Sequence, residues 1–285
     1  MNLPSSLQRS ARLRELLKQG VVMMPGAFNA LCARMIEREG FDAIYLSGAV
    51  LANSVGGMPD VGAMTLTEAR DHANLIAHAT TIPIIMDADT GYGEGPYNVA
   101  RTVRVLEAAG VSGIHIEDQE FPKRCGHLEG KGLIPPEEMC GKIATAVAAK
   151  ANRDFLLLAR TDSCGVEGYD AAVERAHAYL KAGADGIFPE ALRTREEFER
   201  FARDVDTILL ANMTEFGKTL LFTADEFGEM GYNMVIFPVT LQRLAMRTTR
   251  EALRVLKSER TQRSLVDQMQ TRSELYDLLD YDPAR

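Results

Sequence analysis

Six polar clusters stand directly behind short apolar runs in this chain: Ser47-Gly48, Asp87-Ala88-Asp89, Glu117-Asp118, Arg160-Thr161-Asp162, Pro189-Glu190 and Asn212-Met213-Thr214-Glu215. Any one of them could be turn punctuation or a helix cap, since Asp, Asn and Ser serve both. Six together point to a ring of reacting groups at strand ends. Asp87 and Asp89 are two apart, so on a strand both would face one side; His115 and Glu117 share a face in the same way. The carboxylates of Asp87, Asp89 and Glu117 would then converge, and would resist ionisation unless a cation lay between them. Oxygen-only ligands favour a hard ion such as Mg2+, which takes one or two carboxylates directly and the rest through water. The competing reading makes Asp89 a loop cap and pairs Glu117 with an arginine.

A second signal is the stretch from Gln119 to His127, continuing through Gly130 and Gly132 to Pro136. It is long for a strand-to-helix connection, and long loops in compact domains are usually lids or binding loops. Within it Cys125 follows Lys123 and Arg124 and precedes His127; positive neighbours lower a thiol's pKa and make it reactive. No second metal pair accompanies this stretch, so zinc is not expected. Cys32, Cys140 and Cys164 lack such flanks, and four widely spaced cysteines make no disulfide framework, so a reducing, cytoplasmic compartment is expected. A Schiff-base lysine is missing from Ile187-Phe188-Pro189-Glu190, and a glycine-rich phosphate turn is missing from residues 237–243. A metal-dependent reaction on a carboxylate substrate is the better expectation.

Groups of this kind need a scaffold that gathers strand ends. Eight β-type runs recur: Val21–Pro25, Ala43–Leu46, Ile82–Met86, Gly113–Ile116, Phe155–Ala159, Gly186–Phe188, Thr207–Ala211 and Met234–Phe237. Amphipathic stretches such as Tyr97–Ala109, Tyr169–Ala182 and Ala224–Met230 lie between them. Glu39-Gly40-Phe41, Ala109-Gly110-Val111, Ala182-Gly183-Ala184 and Met230-Gly231-Tyr232 repeat one helix-ending signature. Runs apolar on both faces suit parallel strands covered by helices, and eight such units predict a (β/α)8 TIM barrel. The rival, a doubly wound sheet, would show a glycine-rich first turn, and Pro25-Gly26-Ala27 is not one. The 285 residues then form one domain, 1–285, with an N-terminal helix in 1–20 (Leu7, Leu13, Leu16 and Leu17 inward) and a C-terminal helical extension, 258–285.

Composition narrows the partners. Lys and Arg number 32 against 40 Asp and Glu, a net charge of −8, which argues against nucleic acid or an anionic membrane. No apolar run approaches the roughly 20 residues of a membrane span, and the first 20 residues lack the apolar core of a signal peptide.

Three stretches resemble the isocitrate lyase and phosphoenolpyruvate mutase superfamily: Asp87-Ala88-Asp89-Thr90-Gly91-Tyr92-Gly93, Ile116-Glu117-Asp118-Gln119 and Lys123-Arg124-Cys125-Gly126-His127. The likeness runs from Pro25 to Tyr281, through Asn212–Gly217 and Met269–Tyr276. Within that superfamily the Lys-Arg-Cys-Gly-His run marks carbon–carbon lyases with a cysteine acid/base; the mutases, oxaloacetate decarboxylases and phosphonate-cleaving hydrolases lack it. The resemblance implies Asp87 as direct Mg2+ ligand, with Asp89 and Glu117 holding the ion through water. It implies Ser47, Gly48 and Ala49 on a substrate carboxylate, Asp60 on a loop nearby, and Cys125 and Gly126 on a closing lid. Arg160, Glu190, Asn212, Met213, Thr214, Arg243 and Arg272 would complete the substrate shell. Cys125 would protonate a carbanion, with Lys123, His127 and Tyr45 as its catalytic neighbours; whether Tyr45 or a metal-bound carboxylate is the base stays open.

The implied substrate is a small hydroxy tricarboxylate, split in a retro-aldol sense to pyruvate and succinate. The implied assembly is a homotetramer in which the last barrel helix packs on a neighbouring subunit. Isocitrate lyases tend to carry a Trp after the sixth strand. This chain has no Trp; Phe188 stands there, with Ile236 and Pro238 as wall candidates, leaving room for one more methyl group. A methyl group is worth only about 1–3 kcal/mol of discrimination, so the unmethylated acid and a dimethylated malate remain alternatives.

Overall fold

Eight short parallel strands form one sheet: β1 (Val22–Pro25), β2 (Ile44–Leu46), β3 (Ile84–Asp87), β4 (Gly113–Glu117), β5 (Leu156–Thr161), β6 (Gly186–Pro189), β7 (Ile208–Asn212) and β8 (Met234–Phe237). The computed structural model describes residues 4–124, 126 and 130–282. Strand order is β1-β8-β7-β6-β5-β4-β3-β2, and β1 pairs with β8 from Val22 opposite Met234 to Pro25 opposite Phe237. The sheet's two ends meet in one bridge between Gly26 and Tyr45, where the Ala27 N–H donates to the Tyr45 carbonyl at 3.1 Å. The result is the expected (β/α)8 barrel. Gly26 makes that closure possible, because a β-carbon there would collide with the Pro238 carbonyl.

Two apolar layers hold the barrel. Inside it, Met24, Ile85, Leu158, Phe188, Leu210 and Met234 pack together; outside, strand residues such as Ile84, Ile114, Leu157 and Ile187 pack on the helices. Helix α1 (Ser6–Gln19) opens on a capping box between Ser5 and Gln8 and pushes Leu13, Leu16 and Leu17 into the inner layer, closing the barrel's floor. Leu7 is exposed, against the inward placement expected. Six residues from Leu13, it points about 120° away around the helix.

The outer ring is α2 (Ala30–Arg38), α3 (Gly48–Ser54), α4 (Leu66–Ala77), α5 (Pro96–Ala108), α6 (Pro136–Ala149), α7 (Tyr169–Lys181), α8 (Arg195–Asp204) and α9 (Ala224–Glu229). Gly40, Gly110, Gly183 and Gly231 all take positive φ at the helix ends their sequence signature marked. After β8 comes α10 (Thr240–Glu259), twenty residues of which only Gln242 is buried. A short 3-10 turn over Arg263–Gln268 leads to α11 (Arg272–Leu278). That last helix folds back on α2: Arg34 Nη1 donates to the Leu278 carbonyl at 3.0 Å, and Arg38 pairs with Asp277 at 3.1 Å.

Candidate active site

At the C-terminal ends of the strands lies a cavity of about 330 Å³. Its walls include Tyr45, Ser47, Ala49, Asp60, Asp87, Lys123, Gly126, Arg160, Glu190, Asn212, Thr214 and Arg243, all expected from the sequence. Phe188, Ile236 and Pro238 supply the apolar side. Most of these polar groups reach the cavity because their strand or the loop after it ends there; Arg243 comes from the first turn of α10 and Asp60 from the segment between α3 and α4. Ser47 also caps α3, its Oγ accepting the Val50 N–H at 3.4 Å.

Asp87 is the last residue of β3, but Asp89 has left the strand in a left-handed turn (φ 46°). The two carboxylates still converge, by the turn and not by strand alternation. A β-carbon on Gly48 would lie 3.0 Å from Asp87 Oδ2 and 3.1 Å from Asp89 Oδ1, so a larger residue here would push the two carboxylates back by a few tenths of an ångström. The Gly48 and Asp89 N–H groups donate to Asp87 at 3.2 and 3.1 Å. Lys123 Nζ bridges Asp60 at 2.5 Å and Asp89 at 2.7 Å. Burial pushes Asp89 up to about 6 against the pull of Lys123. Burial also raises Glu117 well above the carboxylate range, with Arg160 opposing.

The opposite wall is built on an arginine. Arg160 Nε donates to Asp162 Oδ2 at 2.9 Å and Nη2 to Oδ1 at 3.1 Å. Its guanidinium lies 3.3 Å from Glu117, 3.5 Å from Glu190 and 5.1 Å above the Phe188 ring. Asn212 Nδ2 donates to Glu190 at 3.3 Å, and Arg243 is held by Glu215 at 3.2 Å. On the floor, the Tyr45 hydroxyl meets His115 Nε2 at 2.8 Å, and Phe188 stands edge-on to the imidazole. Burial drives His115 down to about 4 and the Tyr45 phenol well above its ordinary value, so both are neutral. Asp87 Oδ1, 3.7 Å from His115 Nδ1, favours the tautomer with the proton on Nδ1, leaving Nε2 to accept from Tyr45.

The donor set fits a hard cation held largely through water. Both Glu117 oxygens are buried and accept no hydrogen bond, and Asp89 Oδ1 has only its ion pair with Lys123. Asp87 faces the cavity. Among the described residues no three His, Cys, Asp or Glu side chains close into a ready-made ligand group.

Three expected residues do not line the cavity. Met213 is buried behind the wall, its sulfur 3.3 Å from the Phe222 N–H. Asn212 and Thr214 on either side of it take the cavity, and alternation turns Met213 away. Arg272 begins the exposed helix α11, on the flank of α2, and does not line the cavity. Gly48 sits just behind the wall, against Asp87. Cys125 and His127 lie outside the described residues. The sequence reading gave no role to His115, although its two-residue spacing from Glu117 placed it on the right face. Asp162 stood among the strand-end groups and Gln119 at the start of the loop, but their hold on the loop after β4, together with Lys131, shows only in the fold.

Residues 13–257 match the phosphoenolpyruvate phosphomutase family. A 2-methylisocitrate lyase of Aeropyrum pernix is 52% identical over 270 residues, covering 94% of this chain and 86% of that protein. The solved structure of a 2,3-dimethylmalate lyase superposes with a TM-score of 0.90 at 37% identity, covering 98% of this chain and 93% of the other. A phosphonopyruvate hydrolase solved with oxalate and Mg2+ superposes with a TM-score of 0.85 at 29% identity, over 95% of each chain.

Proposed function

The chain belongs to the phosphoenolpyruvate phosphomutase family, and from that premise we propose that it is a divalent-cation-dependent lyase splitting 2-methylisocitrate into pyruvate and succinate. The observation that carries this reading is 52% identity to a 2-methylisocitrate lyase across nearly the whole chain. The cavity supports it, with arginines for carboxylates, acidic groups for a metal and an apolar side for a methyl group.

Asp87 would hold Mg2+ directly, with Asp89 and Glu117 holding it through water. A bound Mg2+ would polarise the substrate hydroxyl and its neighbouring carboxylate. Ser47 and Ala49 take one substrate carboxylate, with Gly48 behind them holding Asp87; Arg160, Asn212, Thr214 and Arg243 take the others, and Glu190 orients Asn212. Tyr45 stays protonated, its O–H donated to His115, and a carboxylate beside the metal is the proposed base. Loss of the hydroxyl proton sends the C2–C3 electron pair to the succinate carbon, forming the keto group of pyruvate. Cys125 gives its proton to that carbon, with His127 beside it in sequence. Lys123 and Arg160 stabilise the developing negative charge. This reaction would serve propionate breakdown through methylcitrate.

The homotetramer with exchanged helices stays part of the proposal. Leu244, Met246, Leu253 and Leu256 on α10 are exposed apolar groups that a neighbouring subunit would cover. No helix among the described residues is long and apolar enough to cross a membrane.

The likeness to 2,3-dimethylmalate lyase favours a second reading with the same chemistry. A product assay with 2-methylisocitrate, isocitrate and 2,3-dimethylmalate, with and without Mg2+, separates the readings. The first is expected to be cleaved fastest, and only with the metal. Faster cleavage of either other acid overturns the substrate assignment.

A further inference from the structure

Two side chains grip the loop after β4 at the residues on either side of position 125. Gln119 is 1% exposed. Its amide oxygen accepts the Arg124 N–H at 2.8 Å, and its amide nitrogen donates to the Arg124 carbonyl at 2.9 Å. This two-point contact resembles a strand pairing and fixes both the position and the rotation of that residue's backbone. On the other side, Lys131 Nζ donates to the Gly126 carbonyl at 2.6 Å and to Asp162 Oδ1 at 2.7 Å. The Lys131 side chain is 3% exposed and that of Asp162 is fully buried. Gly126 is pressed against the cavity wall, where a β-carbon would lie 2.6 Å from Glu190 Cγ. The loop's return is tied as well: the Ile134 N–H donates to the Asp118 carbonyl at 3.0 Å, and Arg175 Nη1 donates to the Ile134 carbonyl at 2.9 Å.

A buried lysine and a buried glutamine cost desolvation that apolar residues would avoid. Here both spend their polar groups on loop backbone. Asp162, the anchor of Lys131, also holds Arg160 of the cavity. One carboxylate therefore sets both the loop and a substrate-facing guanidinium.

We infer that Gln119 and Lys131 are positioning residues, a pair of clasps that hold the peptide units flanking residue 125 against the barrel. The inference rests on the proposed role of Cys125 as proton donor. A donor displaced by about 1 Å can cost on the order of 100-fold in rate, so releasing either clasp acts on turnover before it acts on the fold.

The test uses Gln119→Glu, Lys131→Met and Lys131→Arg in the full chain. Gln119→Glu keeps the size of the side chain and the acceptor for the Arg124 N–H, but sets a carboxylate against the Arg124 carbonyl. Amide hydrogen exchange over residues 119–134 is expected to quicken at least tenfold in Gln119→Glu and Lys131→Met, with the strand peptides unchanged. Their kcat is expected to fall at least tenfold while Mn2+ affinity, read by electron paramagnetic resonance, stays within twofold. Lys131→Arg should recover most of both losses. Unchanged loop exchange, exchange that quickens equally across the strands, or full kcat with a loosened loop each overturns the inference. If the unsubstituted chain cleaves none of the three acids, the lyase reading falls, while exchange still decides whether the clasps hold.

Discussion

The Tyr45 hydroxyl lies 2.8 Å from His115 Nε2, with the two rings stacked 5.9 Å apart at 10°. A neutral imidazole thereby fixes the rotation of a phenol that faces the cavity. Tyr45→Phe removes the hydroxyl, leaves Nε2 buried without its donor, and is expected to cost about 1–2 kcal/mol of stability. The O–H is spent on His115, so the phenol oxygen can only accept from the substrate, and kcat/KM should also fall about 10-fold, the worth of one neutral hydrogen bond. Steady-state kinetics with thermal melting checks both, and an unchanged kcat/KM removes Tyr45 from the reaction.

His115 makes stability depend on pH. Burial lowers its pKa from 6.5 to about 4, and burial lowers His72 in the same direction. The unfolded chain takes up these protons first as pH falls, so the histidines' contribution, present above pH 6.5, is lost between there and about pH 4, while Asp89 and Glu117, raised in the fold, act in the opposite sense. At pH 5 the His115 contribution alone comes to about 2 kcal/mol. Urea unfolding of EDTA-treated protein at pH 7.5 and pH 5 measures it. His115→Gln should show the smaller loss, and equal losses in both proteins would exclude His115 as the cause.

Metal dependence should follow Asp87. EDTA is expected to abolish cleavage and added Mg2+ to restore it. Asp87→Asn should weaken Mn2+ binding at least 100-fold, because it replaces the proposed direct carboxylate by a neutral amide. Calorimetric titration with Mn2+ reads this without turnover. Wild-type affinity in the variant would place the ion elsewhere.

Cys125→Ala should leave Mn2+ binding intact and reduce cleavage by at least 1,000-fold, the loss expected when a general acid disappears. Retained turnover would assign the proton to another group.

The strands and their polar ends were legible because parallel barrel strands are apolar on both faces and end where Asp, Glu, Arg and Asn begin. Thr65, Thr194, Thr223 and Thr271 each stand three residues before a Glu and form capping boxes, a helix-start signal readable in the sequence. The contacts that escaped the sequence depend on distance in space. Lys131 meets Asp162 across 31 residues, and Asp89 reaches Asp87 through a left-handed turn that the two-residue spacing does not announce. Arg272 was placed by motif alone, and a motif does not say where its helix docks.

Gly26→Ala should destabilise the chain by about 3 kcal/mol, because the new methyl group meets the rigid Pro238 backbone where relaxation is limited. Chemical denaturation measures the loss. A change below about 1 kcal/mol would mean the strand ends part easily.

The single bridge between Gly26 and Tyr45 is the seam at which the sheet becomes a barrel. Tyr45 belongs to both, giving its backbone to the seam and its ring to the cavity. Opening β1 from β2 would dismantle the cavity while the other strand pairs stay zipped, so ligand affinity and seam closure are one linked equilibrium. Substrate therefore acts on this molecule as a fastener, and the free enzyme should breathe first at β1 and β2.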